Sequence, residues 1–220
     1  MYDRDYLMRL ISQTTVALGR LMGLKEQKKH EEAMELIDEF LSREMRMRTR
    51  LALGLSDEDL LKMLSLGGVP NLESVAIIAV FLQEEADLLY ETGRAGDAVP
   101  RYEKALRLLV YACREGGPIK GLRMEARIRE MIGRLEPYEI TSGTKRSVWA
   151  WHESQGQYAD AENMLYELHD EQAVTAEEGR SFYDRLERLG DERLERGGLP
   201  RSELREGLEQ WIKLAGETAS

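Results

Sequence analysis

The sequence predicts an all-α protein, and three observations carry that expectation. Leu, Ala, Glu and Arg dominate a chain of 220 residues that holds only 5 prolines, a composition that favours helices over sheets built from β-branched runs. Apolar residues recur at three-and-four spacing rather than in alternation, which is the period of one helix face. Capping residues and glycines stand where those faces begin and end.

The first helix is expected over 6–23, where Leu7, Leu10, Ile11, Thr14, Ala17, Leu18 and Leu21 form one stripe. A second covers 31–46 through Ala33, Leu36, Ile37, Phe40 and Leu41. Ser56, with Asp59 three residues on, caps a short helix carrying Leu60, Leu61, Met63 and Leu64, which Gly67-Gly68-Val69-Pro70 ends. Asn71 caps a long apolar helix to Thr92, with Gly93 free to take the left-handed position beyond it. Its apolar content makes it the central helix. Asp97 caps the next, to Arg114, so that Pro100 falls in the first turn, where a missing N–H deprives the helix of nothing. A weaker helix spans 119–135, interrupted by Gly121 and Gly133 and stopped by Pro137. Helices over 142–155 and 159–169 form a hairpin. Thr175 and Glu178 make a capping box for a helix to Arg196, and Pro200 opens a last amphipathic helix through Trp211 to Leu214. No strand is expected. With no low-complexity linker, the chain reads as one helical domain over 1–220. Within it lie N-terminal helices over 1–66, a repeat-like unit with an extra helix over 71–135, a second unit over 141–170 and a C-terminal pair over 175–216.

The apolar fraction of 42% is enough for a core, and the net charge is −10. Residues 146–220 hold 9 basic and 17 acidic side chains, which disfavours nucleic acid and anionic membranes as partners. Arg43, Arg46, Arg48 and Arg50 are the local exception, a basic run that is either a solvated helix end or a place to meet an acidic partner. The single cysteine, Cys113, excludes an intrachain disulfide and reads as a small buried hydrophobe. Met1-Tyr2-Asp3-Arg4-Asp5 puts charges where a signal peptide needs an apolar core, and no stretch approaches the roughly 18 apolar residues of a membrane span. The cytoplasm is the expected location.

Catalytic and metal chemistry find little support. His30, His152 and His169 are scattered, and the positions three before them hold Gln27, Trp149 and Tyr166 rather than the Glu of a di-iron bundle. No Gly-Lys-Ser/Thr phosphate loop occurs, and Ser142-Gly143-Thr144-Lys145 reads as a helix start before it reads as an anion site. Glu84-Glu85 and Glu177-Glu178 are what 41 acidic residues produce on solvated faces. The expectation is a protein without cofactor or metal that is not an enzyme. Trp149 and Trp151, two positions apart, must point to different sides of a helix, which predicts one in the core and one more exposed. Trp211 reads as a docking residue of the terminal helix or part of a dimer interface.

Placing Ala98 on Ala161 superposes Gly93 on Gly156 and Asp97 on Asp160, and Glu32-Ala33 gives a fainter third copy. The three alanines are 65 and 63 residues apart, close to twice a repeat of about 34 residues. Ala86, Gly93, Ala98, Tyr102 and Ala105, and then Ala150, Gly156, Tyr158, Ala161, Leu165 and Leu168, resemble the small-residue and glycine pattern of the tetratricopeptide repeat family. Val110 and Lys28 stand where that family has a proline and a turn glycine. The implied fold is an irregular tetratricopeptide-like right-handed array of stacked antiparallel helical hairpins. Asp5-Tyr6-Leu7-Met8-Arg9 and Leu64-Ser65-Leu66-Gly67-Gly68 make the whole chain similar to an uncharacterised bacterial family of helical proteins.

The resemblance implies a peptide groove on the inner face of the first helix of each hairpin. On this chain that face selects Val80, Gln83, Asp87, Tyr90 and Glu91 in one unit and Arg146, Glu153 and Ser154 in the other. The mix is mostly acidic, so the expected partner is a basic or mixed peptide or protein. The expected function is a non-catalytic interaction scaffold or adaptor, with a homodimer through the terminal helices as a further possibility. The alternatives are a regulatory domain that binds a small molecule near Phe81 and an enzyme with dispersed site residues.

Overall fold

The structure is a computed structural model, and it describes residues 2–218. Among these it contains twelve helices and one very short hairpin, so the chain is all-α. Where the sequence led to a single domain, the chain divides into two compact units, Met1–Ile140 and Thr141–Ser220. A boundary needs few contacts across it, not a Gly- or Ser-rich linker.

The first unit begins with α1 (Tyr2–Glu26) and α2 (His30–Glu44), joined through Lys28 in the left-handed region at φ 57°. α3 (Thr49–Gly54) follows, a helix too short to have announced itself by periodicity, and then α4 (Asp57–Met63), capped by Ser56 as expected. Gly67-Gly68 does more than stop that helix. Both glycines have positive φ, 61° and 85°, and they turn an antiparallel pair of two-residue strands, β1 (Ser65–Leu66) and β2 (Val69–Pro70). A two-residue hairpin turn of this hand demands such backbone at both positions.

α5 (Leu72–Glu91) starts at the Asn71 cap, whose side chain accepts the Ser74 N–H at 2.8 Å. Every residue from Val75 to Ala86 is buried, so α5 is central to its unit. Phe81 packs its ring on Phe40 at 4.7 Å. α6 (Ala95–Gly116) folds back beside it through Gly93 at φ 77°. α6 starts at Ala95 rather than after Asp97, which puts Pro100 in its second turn. The carbonyl left without a donor there belongs to Gly96, an exposed residue that water reaches. α7 (Met124–Leu135) is shorter than expected, because Gly121 and Arg123 take positive φ ahead of it, whereas Gly133 is helical.

In the second unit α8 (Ser142–Gln155) and α9 (Tyr158–Asp170) are joined through Gly156 at φ 73°. α10 (Ala176–Glu187) carries the expected Thr175–Glu178 capping box. The helix foreseen as running on to Arg196 is broken at Gly190, and its last part is a separate α11 (Asp191–Arg196). α12 (Arg201–Thr218) completes the unit. Trp149, Tyr158, Leu165, Phe182, Tyr183 and Trp211 anchor its core. Both Trp149 and Trp151 are buried, so neither is the exposed anchor that their spacing suggested. Trp211 donates its indole N–H to the Ala176 carbonyl at 3.0 Å and docks α12 on α10.

Candidate functional site

The face of α5 singled out by the groove reading meets its partners inside its own unit. Arg127 on α7 donates one N–H to Gln83 Oε1 at 3.0 Å and another to Glu84 Oε1 at 2.9 Å. Lys25, at the end of α1, lies 3.2 Å from Glu84 Oε2, 3.4 Å from Asp87 Oδ2 and 4.0 Å from Glu91. Tyr102 on α6 donates its hydroxyl to Asp87 Oδ1 at 2.6 Å, and the Arg134 guanidinium sits 5.0 Å above the Tyr90 ring. Burial opposes the Lys25 charge, yet Glu84, Asp87 and Glu91 together hold its pKa above the ordinary lysine value. Burial, reinforced by Asp87, pushes the Tyr102 hydroxyl up, so it stays a donor. Gln83 and Asp87 are therefore internal struts, Tyr90 is half-covered, and of this set only Glu91 is exposed.

The other half of the expected groove is engaged in the same way. Arg146 grips Glu178 through two hydrogen bonds of 2.6 and 3.2 Å, and Arg185 grips Glu153 at 2.6 and 2.8 Å. With Trp149 edge-on to Phe182 between them, at 5.9 Å, these pairs lay α10 alongside α8. The two halves belong to different compact units.

The Arg146 guanidinium and the Thr175 backbone N–H hold the Glu178 carboxyl far below its usual 4.5, at about 2. A depressed folded value means that this contribution is complete above about pH 4.5 and is lost as the pH falls toward 2. Burial raises Glu162 despite its hydrogen bond from Tyr183, which acts in the opposite sense. Arg146→Gln is expected to flatten the loss of stability between pH 4.5 and 2 relative to the parent, read from Trp emission, since all three tryptophans lie in the second unit.

Other candidates resolve quickly. Burial, with help from Glu125, lifts the Cys113 thiol to about 11, and the residue is half-buried rather than fully so. Lys145, beside the start of α8, is held by Glu167 at 2.8 Å and Glu171 at 2.7 Å. Among the described residues no three His, Cys, Asp or Glu are placed to hold a metal ion, and no helix is long and apolar enough to cross a membrane.

The basic run is different. Arg43 pairs with Glu44 at 2.6 Å. Beyond α2 the chain turns through Arg46 at φ 51° and extends at Arg48, with φ −104° and ψ 154°. Side chains in extended backbone alternate in direction. Met47 is thus buried and Arg48 exposed; in the first turn of α3 Thr49 is buried, donating to Asp38 at 3.2 Å, and Arg50 is exposed, as is Arg46. Among the described residues, none of these three side chains forms an ion pair or hydrogen bond, although the Arg48 carbonyl accepts from the Leu51 and Ala52 N–H groups. With Ser42, Met47 and Leu51 they surround an open depression of about 740 Å³. Lys104 steadies the following turn by donating to the Leu55 carbonyl at 2.7 Å.

Fold and site together define an all-α protein of two helical units, the first carrying a basic corner whose arginines Arg46, Arg48 and Arg50 have no ion-pair partner among the described residues. The chain belongs to the family described as "Family of unknown function (DUF6483)", which matches residues 1–216. No curated protein and no solved structure matches it.

Proposed function

We propose that this chain is a non-catalytic protein-binding module, working in the cytoplasm, whose basic corner docks an acidic segment of a partner protein. The observation that supports it is the presentation of Arg46, Arg48 and Arg50 around one depression without carboxylate partners, in a chain whose net charge is −10. Guanidinium groups bind carboxylates bidentately, and exposed Leu51 adds an apolar contact beside them. Asp87 and Glu153 already have cationic partners within the chain, Lys25 and Arg185, whereas the three arginines have no carboxylate beside them, which favours an acidic partner over a basic one. The net negative charge of the chain repels nucleic acid over distances longer than this corner spans.

Arg46→Glu combined with Arg50→Glu tests the reading, since both side chains are exposed and folding should survive. Binding of a labelled Asp/Glu-rich dodecapeptide, followed by fluorescence anisotropy, is expected to weaken at least about tenfold. In the parent it should also weaken as salt rises. Affinity unchanged in the folded double variant would refute the assignment.

A further inference from the structure

We propose that the outer face of the α1–α2 hairpin is a self-association surface, on which α1 of one copy packs across α2 of a second. The two helices carry opposite charge. Between Asp5 and Glu26, α1 has Arg9, Arg20 and Lys25 and no acid, whereas between Lys29 and Arg43, α2 has Glu31, Glu32, Glu35, Asp38 and Glu39 and neither lysine nor arginine. Lys25 is engaged inside its own unit. Arg9, Arg20, Glu35 and Glu39 are exposed and form no ion pair among the described residues.

A groove of about 200 Å³ runs between the two helices, with buried Ala17 and Phe40, exposed Val16, and Arg20 and Glu39 among its lining. Exposed Gly19, one turn beyond Val16, has nothing within reach of a Cβ, so a second helix can come close to the α1 backbone there. Symmetry sets the register. α1 and α2 run antiparallel from the turn at Lys28, so at equal rise per residue Arg20 stands level with Leu36, and Val16 with Phe40. A two-fold axis parallel to the hairpin keeps those levels and exchanges the sides. Arg20 of one copy then lies over Leu36 of the other, flanked by Glu35 and Glu39, and Val16 lies over Phe40. The other two-fold brings α1 onto α1 and α2 onto α2, where cations meet cations and carboxylates meet carboxylates, and is disfavoured by repulsion. The proposal does not depend on the acidic-segment reading, because it uses none of Arg46, Arg48 and Arg50.

Sedimentation velocity of the full chain from about 1 to about 200 μM tests it, since two helix-on-helix contacts make a small interface of modest affinity. A reversible monomer–dimer equilibrium is expected. Arg20→Glu should weaken it at least about tenfold, and Glu35→Lys/Glu39→Lys should do the same. All three side chains are exposed, so folding should survive, as circular dichroism would show. The two variants are then mixed in equal amounts. The mixture should form a dimer that neither variant forms alone, because one of its two contacts is charge-reversed on both sides and the other is native. Should either variant fail to fold, Val16→Glu, at a side chain 63% exposed, takes its place and should weaken the dimer about tenfold by setting a carboxylate over Phe40. A parent that stays monomeric throughout leaves the groove to a different partner and overturns the proposal. A dimer indifferent to the folded variants, or a mixture that stays monomeric, overturns it as well. Arg46→Glu/Arg50→Glu should dimerise no worse than the parent, which separates this test from that of the acidic segment.

Discussion

Arg127→Ala is expected to destabilise the first unit by about 3 kcal/mol, the scale for breaking one side of a buried ion pair. Glu84 is 8% exposed and Arg127 14%, so neither is rescued by solvent once its partner is gone. Removing the guanidinium also strips Gln83 Oε1 of its donor, leaving two buried acceptors short at once. Lys25 remains on Glu84 Oε2 and limits the damage. The cost belongs to the orphaned charge rather than to the pair itself, which sets the control. Arg127→Met with Glu84→Gln should recover most of the loss, because the uncompensated carboxylate is gone and the stem volume is kept. Urea denaturation of the single and double variants by circular dichroism measures both values. A single variant within 1 kcal/mol of the parent would show that water, and not Arg127, satisfies Glu84.

Gly197→Ala should cost the second unit a similar amount, about 3 kcal/mol, at the upper end of what overpacking usually brings. Gly197 follows α11 with ordinary backbone, φ −83°, so conformation is not the obstacle. Space is. A Cβ there would overlap the Tyr158 ring and stand 2.5 Å from the Gly156 carbonyl oxygen. Tyr158 cannot swing aside freely, being 2% exposed and tied through its hydroxyl to Arg193 at 2.8 Å. Retreat of the backbone would break the bond from the Ala159 N–H to the Gly197 carbonyl at 3.1 Å. Gly133→Ala provides the opposite sign. That glycine lies inside α7 with nothing near a Cβ, and alanine should stabilise the first unit by up to about 1 kcal/mol. Thermal unfolding of the two variants, with Trp emission reporting the second unit, should show them moving in opposite directions.

The sequence by itself determined the helical class and most of the helix starts. The Asn71 cap, the Thr175–Glu178 box and the left-handed Gly93 and Gly156 were all legible, because each is a relation among residues within one or two turns. The same locality explains the misses. α3 is too short for a period to show, and the Gly67-Gly68 hairpin looks like a simple stop. Periodicity gives the side of α5 on which Gln83, Asp87 and Tyr90 stand. It cannot say that Lys25, from 62 positions before Asp87, and Arg127, from 44 positions after Gln83, would cover that side. The arginine run was visible, but not the left-handed turn at Arg46, the extended Arg48 and the start of α3, which together fan three of its members outward while burying Met47 and Thr49. The burial of Glu85 beside Arg101 was wholly invisible, since burial and pairing depend on which distant helices close around a side chain. Local spacing decides which helices form and which way their residues point, and tertiary packing decides which of those residues are left free to bind.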